Sequence, residues 1–318
     1  MKILVLGGAG YLGSVLVPLL LWRGHRVTVL DSFLYGENSL ALCCSHSDCE
    51  LVVGDVRDKL TVRRLLAGAD AVVPLAAIVG APACARDPLG SESVNVTAMR
   101  WLFEEVGHGQ LVVMPTTNSQ YGTGGVEPLT EDSPVNPLSE YARQKVEVEN
   151  ALLNNVPLGV SLRFATLFGM SPRMRLDLLV NDFVHRAVTD HSLVLFEGGH
   201  RRNFLHVRDA ALAILHVVRH PLDVVGHLIG ALGSSVYNVG DSRANLTKRQ
   251  LCEEIQRQVP NFMWTEAAVA RDPDQRDYVV SNARFEDVGW APTVTLQAGI
   301  AELVKGCAGL RARRYSNV

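Results

Sequence analysis

Apolar runs long enough to cross a bilayer are missing from this chain of 318 residues, although 47% of its residues are hydrophobic. A spanning helix needs about 20 consecutive apolar residues. The composition instead favours a large buried core, arranged as one large domain or two small ones. A signal peptide does not fit either, because Met1 runs directly into an apolar, strand-like segment. These absences predict a cytoplasmic protein.

The chain also lacks an excess of either charge and a plausible metal-binding pattern. Its net charge of −3 gives no sign of a nucleic-acid partner or a membrane-surface partner. It has only six cysteines, and three of them, Cys43, Cys44 and Cys49, lie close to His46. Adjacent cysteines are a poor match to the spacing of zinc ligands. We therefore expect no metal and interpret the cysteines as thiols of a reducing compartment.

A glycine-rich segment follows the first apolar run. Residues 2–6 have the pattern of a strand, residues 11–23 have the apolar spacing of a helix, and Gly7, Gly10 and Gly13 lie at the turn between them. Glycines at such a turn let the backbone approach a pyrophosphate, which the free N–H groups of the helix attract. We therefore expect Gly7, Gly10, Tyr11, Leu12 and Gly13 to bind a dinucleotide.

The second predicted strand, residues 27–30, identifies the dinucleotide. It ends at Asp31, 18 residues after Gly13, near the place where an acidic side chain binds an adenosine ribose. A carboxylate at this place repels the extra phosphate of NADP. The sequence therefore favours NAD.

The alternation of strands and helices continues through the first half of the chain. Further strands are predicted at residues 50–53, 70–74, 111–114 and 158–162, and helices between them include 91–106 and 139–153. Such alternation predicts an α/β fold with a doubly wound parallel sheet of the Rossmann type. Ligands then bind beyond the carboxyl ends of the strands, where the sequence has Asp55, Val56, Leu75, Ala76, Ala77 and residues 116–119.

The regular alternation ends near residue 165. We predict that residues 1–165 form the NAD-binding domain, that residues 203–240 pack back onto it, and that residues 166–202 and 241–310 form a smaller, less regular substrate-binding region. Arginines are spread through the second half, and guanidinium groups match phosphate oxygens. With 25 arginines and only five lysines in the chain, most of them are expected to be solvated surface charges, including those of the tail at 311–314.

Tyr141 and Lys145 lie one helical turn apart in the predicted helix at 139–153. Oxidation of an alcohol requires removal of the hydroxyl proton, and an unperturbed tyrosine has a pKa near 10, too high for a good base at neutral pH. A lysine ammonium and a positively charged nicotinamide would lower that pKa. We therefore assign Tyr141 as the acid/base and Lys145 as its electrostatic partner, with the hydroxyl of Thr117 orienting the reacting alcohol.

These motifs together resemble the extended short-chain dehydrogenases/reductases of the nucleotide-sugar epimerase and dehydratase group. The resemblance covers nearly the whole chain: Gly7 to Gly13, Asp31, Gly54 to Val56, Leu75 to Ala77, Asn95, Thr116, Thr117, Tyr121, Gly122, Tyr141, Lys145, Leu162 to Phe164, Arg202 to Asp209 and Tyr237 to Gly240. It implies bound NAD, often retained through turnover, a nucleoside-diphosphate sugar as substrate, and a homodimer formed through a helix bundle.

The resemblance also assigns further site residues. It adds Asn95 to the cofactor contacts, and Asn181 and Arg202 match the family's positions for binding the diphosphate. The other candidate substrate contacts are Thr117, Asn118, Ser119, Thr166, Arg175 and Arg276.

The two residues after Thr117 narrow the reaction. In the family's 4,6-dehydratases an Asp-Glu pair at this place moves protons at the sugar, and the sugar decarboxylases keep the glutamate. Here the pair is Asn118-Ser119, which cannot perform that proton transfer. The reactions that remain need one hydride and one proton: oxidation, reduction, or epimerisation through a transient ketone.

A closer resemblance concerns the sugar. Residues 168–183, 244–250 and 272–278 are similar to a subgroup that handles GDP-linked high-carbon sugars, including a GDP-heptose 4-dehydrogenase and a GDP-octose epimerase of antibiotic biosynthesis. The arginine bias suggests a GC-rich genome, compatible with that setting. We therefore expect an NAD-dependent epimerase of a GDP-linked heptose or octose. The alternatives are a dehydrogenase that releases a 4-keto sugar, and a non-catalytic NAD-binding regulator.

Overall fold

The computed structural model describes residues 1–36, 38–125, 127–225, 235–267 and 276–310. The strands are β1 (Lys2–Leu6), β2 (Arg26–Asp31), β3 (Cys49–Val53), β4 (Ala71–Pro74), β5 (Leu111–Thr117), β6 (Gly159–Phe164), β7 (Thr166–Phe168), β8 (Ser192–Leu195), β9 (Arg201–His206), β10 (Ser235–Val239), β11 (Asn245–Thr247) and β12 (Met263–Glu266).

The helices are α1 (Gly13–Trp22), α2 (Lys59–Leu66), α3 (Ala81–Arg86), α4 (Pro88–Glu92), α5 (Ala98–Glu105), α6 (Glu140–Asn155), α7 (Leu179–Thr189), α8 (Val207–Arg219), α9 (Pro221–Val225), α10 (Lys248–Gln258), α11 (Ala283–Asp287) and α12 (Leu296–Cys307). A π-helical turn, Ser93–Thr97, joins α4 to α5, and 3-10 turns form at Ala41–Ser45 and Asn118–Tyr121.

A seven-stranded parallel sheet in the order β10-β6-β5-β4-β1-β2-β3 organises the fold. Its neighbours all pair in parallel, and β1 is buried at every residue after Lys2, because helices cover both faces of such a sheet. The doubly wound α/β class predicted from the alternation is therefore confirmed. β10, within the segment 203–240, pairs with β6.

Apolar side chains fill both faces of the sheet. On one face, α1 and α8 contribute buried residues such as Leu20 and Ile214. On the other face, α2, α5 and α6 contribute Leu66, Leu102 and Leu152. Burying such side chains stabilises the fold by about 1.5–3 kcal/mol each.

A third apolar core lies in the second half of the chain, between α7, α10 and α12. Two small sheets, β11-β9-β7 and β12-β8, accompany it. Tyr11 of the glycine-rich segment also belongs to this core, so the dinucleotide loop packs directly on the second region. Among the described residues, no helix is both long and apolar enough to cross a membrane.

Candidate functional site

A cleft of about 1440 Å³ opens at the carboxyl ends of β1, β2, β4 and β5. Ordinary ligand pockets measure roughly 300–1,000 Å³, so this cleft can accommodate two large ligands. Of the residues expected at the site, those that line it are Gly7, Gly10, Tyr11, Leu12, Gly13, Asp31, Asp55, Val56, Leu75, Ala76, Ala77, Thr117, Ser119, Tyr141, Lys145, Thr166, Arg175, Arg202 and Arg276. Residues 271–275 and 311–314 lie outside the described residues.

Gly7 and Gly13 of the first turn are needed for a different reason from Gly10. A Cβ at Gly7, where φ is +82°, would lie 2.5 Å from the backbone nitrogen of Ala76, and one at Gly13 would lie 2.4 Å from the carbonyl oxygen of Gly8. Both glycines therefore permit close packing of the backbone. A Cβ at Gly10 would meet no protein atom closer than 3.4 Å. At Gly10 the glycine leaves room in the cleft, which fits a dinucleotide backbone at this turn.

Asp31 is held in place by backbone groups. One carboxylate oxygen accepts from the Ala9 N–H and the other from the Phe33 N–H, each at 2.8 Å. A carboxylate offers about four lone-pair sites, so Asp31 retains acceptor capacity toward the hydroxyls of a ribose. Asp55 lies at the same end of the cleft, and its carboxylate pairs with the guanidinium of Arg57. The residues present therefore fit the adenosine half of NAD.

Asn95 acts behind the cleft rather than in it. Its side chain accepts from the Ile78 N–H at 2.8 Å, donates to the Ile78 carbonyl at 2.9 Å, and donates to Gln144 at 2.8 Å. The π-helical turn Ser93–Thr97 positions this amide, a distortion that is frequent at functional sites. Asn95 therefore holds the loop after β4, and its direct contact with the cofactor stays a prediction.

Asn181 is likewise bonded to other groups of the protein. Its amide oxygen accepts from the Gly169 N–H at 2.9 Å, and its amide nitrogen donates to the Arg175 carbonyl at 2.9 Å and to the Tyr11 hydroxyl at 3.2 Å. The side chain is fully buried and does not line the cleft formed by the described residues. Asn181 therefore shapes the second region, and its contact with a diphosphate stays a prediction.

Tyr141 and Lys145 share the first turns of α6, and both line the cleft. Ser139 caps this helix by accepting from the Ala142 N–H at 3.2 Å, which fixes where the helix begins. The Lys145 ammonium donates to the Pro115 carbonyl at 3.2 Å and lies 6.0 Å from the centre of the Tyr141 ring. Thr117, at the end of β5, lines the same cleft.

Burial dominates the titration of the two groups in the protein alone. It raises the pKa of Tyr141 to about 12, against which nearby Arg175 and Arg276 act in the lowering direction. Burial also lowers the pKa of Lys145 to about 8. The expected lowering of the tyrosine pKa by Lys145 is therefore not a property of the protein alone. The positive charge of an oxidised nicotinamide would act in the same direction as the two arginines and lower the tyrosine pKa.

We predict a pH limit on activity set by Lys145. The ammonium carries its charge below pH 8 and loses it as the pH rises through about 8, so stabilisation of the Tyr141 phenolate is lost on the alkaline side. The rate of hydride transfer should fall about tenfold per pH unit there. A Lys145→Arg variant keeps its charge to far higher pH, so its alkaline limb should disappear. An alkaline limb that Lys145→Arg leaves unchanged would assign it to another group.

The residues after Thr117 form a small hydrogen-bonded turn. The Thr117 hydroxyl donates to the Ser119 hydroxyl at 2.9 Å, and the Ser119 N–H donates to the Thr117 hydroxyl oxygen at 3.1 Å. Arg276 donates to the same Ser119 hydroxyl. Asn118 is buried and its amide has no hydrogen-bond partner among the described residues. Asn118 thus lies beneath the cleft surface, whereas Ser119 is on it.

Besides Arg57, four arginines line the cleft, and they form two groups. Arg202 and Arg276 lie on the side of Tyr278, with the Arg202 guanidinium 6.0 Å from the Tyr278 ring. The others, Arg173 and Arg175, lie on the side of Tyr35, and the Arg173 guanidinium is only 3.9 Å from the centre of that ring. Arg175 forms an ion pair with Asp177 at 2.5 Å. Cations on both sides suit a cleft that takes two phosphate-bearing ligands.

Sequence reasoning missed the contacts that join the two regions. The Tyr11 hydroxyl donates to the Gly169 carbonyl at 2.7 Å, and the Ser171 hydroxyl donates to the Tyr11 carbonyl at 2.7 Å. The hydroxyls of Ser14 and Ser171 are 2.9 Å apart. Polar pairs separated by about 160 positions leave no periodic signal in a sequence. The only available signal was the position of Tyr11, a polar aromatic residue within the glycine-rich segment.

The profile of the NAD dependent epimerase/dehydratase family matches residues 3–240. The chain is 29% identical to a UDP-glucose 4-epimerase of Corynebacterium glutamicum, over 93% of this chain and 92% of that protein. It is 28% identical to a dTDP-glucose 4,6-dehydratase of Streptomyces griseus, over 95% and 92% of the two chains. The crystal structure of the Thermus thermophilus UDP-glucose 4-epimerase in complex with NAD superposes with a TM-score of 0.80 at 26% identity, covering 98% and 100%. The chain therefore belongs to the NAD dependent epimerase/dehydratase family.

Proposed function

We propose that this protein is an NAD-dependent epimerase of a nucleoside-diphosphate sugar, with a GDP-linked heptose or octose as the substrate. The observation that carries the proposal is the turn after Thr117. Asn118 is buried, Ser119 is bonded to Thr117 and Arg276, and neither has a carboxyl group. Dehydration and decarboxylation in this family require an acid at these positions, so oxidation and reduction at one carbon remain.

NAD, when bound, supplies the carbon that accepts and returns the hydride. Tyr141 takes the hydroxyl proton and gives it back, and Thr117 holds the sugar oxygen against it. Lys145 contributes positive charge that favours the tyrosine phenolate. In an epimerase the ketone turns over within the site, and the hydride returns to its opposite face. These roles agree with the residues that line the cleft.

The diphosphate is assigned to the arginines on the Tyr278 side. Arg202 is 2% exposed, and it lines the cleft together with Arg276. A buried guanidinium with a fixed geometry binds phosphate oxygens in a bidentate manner. The choice of GDP rests on the likeness at residues 168–183 and 244–250, whereas the names of the compared relatives refer to UDP- and dTDP-sugars.

Return of the hydride is favoured by a clasp, which we define as Tyr35 and Arg173. Tyr35 follows Asp31 on the adenosine side of the cleft, and Arg173 approaches its ring from the second region. We infer that an adenosine group leaves this end of the cleft by separating the two side chains. An enzyme that retains its reduced cofactor returns the hydride to the sugar, whereas a dehydrogenase must reoxidise or exchange that cofactor.

We predict that Tyr35→Ala loosens the cofactor. A cation–π contact contributes about 0.5–2 kcal/mol, so NAD should dissociate roughly 2- to 30-fold faster from the variant. Stopped-flow dissociation into a cofactor trap measures this rate. Tyr35→Phe, which keeps the aromatic ring beside Arg173, is the control and should release NAD at the wild-type rate. Equal dissociation rates for wild type and Tyr35→Ala would show that the clasp does not retain NAD.

We also propose a homodimer, on the resemblance to enzymes that dimerise through a helix bundle. Helices α5 and α6 pack side by side on one face of the sheet, and we propose that they form this bundle. Light scattering of the purified protein checks this; a mass of 34.6 kDa would mean a monomer.

Product analysis tests the proposed reaction. The purified protein is incubated with GDP-heptose, GDP-octose and, as a comparison, UDP-glucose, and the products are analysed by chromatography and mass spectrometry. An isomer of unchanged mass from a GDP-sugar supports the proposal. A product lighter by two hydrogens supports the 4-dehydrogenase instead, and an isomer formed only from UDP-glucose would overturn the GDP assignment. If the protein retains NAD but forms no product from any of these sugars, the result supports a non-catalytic regulator.

A further inference from the structure

The hydroxyl of Ser119 has an unusual set of neighbours. A serine hydroxyl has one proton to donate and two lone pairs that accept. At Ser119 both acceptor positions are used, one by the Thr117 hydroxyl at 2.9 Å and one by the guanidinium of Arg276. The proton of Ser119 must therefore point to a third direction, and Ser119 lines the cleft.

Thr117 is constrained in the opposite sense. Its own proton is donated to Ser119, and one of its lone pairs accepts from the Ser119 N–H at 3.1 Å. What Thr117 still offers to a ligand is one lone pair. Thr117 can therefore accept a hydrogen bond from a sugar hydroxyl, but its proton is already used within the turn.

We propose that Ser119 is a catalytic hydrogen-bond donor that stabilises the oxygen of the oxidised sugar carbon, and that Arg276 fixes it in this role. The proposal rests on the proposed function. A ketone oxygen only accepts, so it needs donors as negative charge builds up on it during hydride return. Tyr141 in its protonated form is one donor, and Ser119 is the second.

No bond to hydrogen is broken at Ser119. The proton that moves during oxidation and reduction passes between the sugar oxygen and Tyr141, and the hydride passes between the sugar carbon and the nicotinamide. Ser119 keeps its proton throughout and contributes only the dipole of its hydroxyl. A serine can thus act at the place where the dehydratases have an acid, without replacing the function of that acid.

A double-mutant cycle separates direct donation from an effect through Thr117. Thr117→Val, Ser119→Ala and the double variant are compared in single-turnover formation of reduced nicotinamide from the nucleotide sugar that the wild type uses. We expect Ser119→Ala alone to lower this rate about 10²–10³-fold, the range for losing one such donor, with little change in KM. In the Thr117→Val background, Ser119→Ala should still lower the rate at least tenfold.

Three further results decide the proposal. A double variant that is no slower than Thr117→Val would overturn it, because Ser119 would then act only by orienting Thr117. Ser119→Thr, which keeps a hydroxyl, should recover most of the lost rate. Ser45→Ala, which removes an exposed hydroxyl that donates to the Leu42 carbonyl, is the matched control and should match the wild type in rate and thermal stability.

The result for the wild type shows whether the proposed function or only the role of Ser119 has failed. A wild type that never reduces its nicotinamide with any nucleotide sugar overturns the proposed function and this proposal together. A wild type that transfers hydride, combined with a Ser119→Ala variant of normal rate and normal melting temperature, overturns the role of Ser119 alone.

Discussion

Tyr141→Phe should lower the rate of sugar oxidation by about 10²–10⁴-fold, the usual contribution of a positioned acid/base. The phenyl ring occupies the same partly buried volume at the start of α6, so the fold and the NAD-binding loop should be retained. The variant loses only the oxygen that exchanges the proton with the sugar. The measurement is single-turnover hydride transfer, together with the amount of NAD retained on the purified variant.

Tyr121→Phe provides the control for this experiment. Tyr121 is buried, and its hydroxyl bonds to the Thr130 carbonyl, Asn238 and Arg163. It does not line the cleft that the described residues form. Its variant should keep the rate within a few-fold of the wild type. A Tyr141→Phe variant that is also within a few-fold, with full NAD content, would contradict the assignment of Tyr141.

Glu149→Ala should be the most destabilising of the substitutions considered, with a loss of about 3–5 kcal/mol in the free energy of unfolding. Glu149 lies two helical turns beyond Tyr141 on α6. Its carboxylate accepts from the Arg163 guanidinium at 2.6 Å, from the Ser161 hydroxyl at 2.6 Å and from the Thr116 hydroxyl at 3.1 Å. Removing it leaves the Arg163 charge buried without its carboxylate partner, since the two side chains are 4% and 8% exposed.

Denaturant unfolding measures this loss of stability. Two further variants show whether the loss comes from the buried ion pair. Glu140→Ala, on the same helix, breaks an exposed ion pair with Arg143 and should cost at most about 1 kcal/mol. Adding Arg163→Met to Glu149→Ala should recover much of the stability, because the unpaired charge is then gone. A Glu149→Ala variant as stable as Glu140→Ala would show that the buried pair contributes little.

The sequence predicted the sheet well because its central strands are buried on both faces. The first strand was predicted at residues 2–6 and is Lys2–Leu6; the fifth was predicted at 111–114 and extends to Thr117. A continuous apolar run shows where such a strand lies. It does not show how far the strand continues once polar residues begin, because pairing with the neighbouring strand β6 decides that.

Within the site, local features could be predicted from the sequence, whereas contacts between distant residues could not. Glycines at fixed spacing and a Tyr-Lys pair on one helical turn have local geometric causes, so their positions in the cleft could be predicted. The contacts of Arg276 with Ser119 and of Arg173 with Tyr35 join residues separated by more than 130 positions. No local pattern encodes them. Nor does the sequence show that backbone groups of the protein bond to the amides of Asn95 and Asn181.

The central claim is that one oxidation is followed by return of the hydride within the same turnover. Rapid mixing of the NAD-loaded protein with a GDP-heptose or GDP-octose, followed through the absorbance of the reduced nicotinamide, tests it most directly. We predict an absorbance that rises and then falls as the isomer appears. Reduced nicotinamide that accumulates in proportion to released ketone, or an absorbance that never changes while the sugar is bound, would contradict the account.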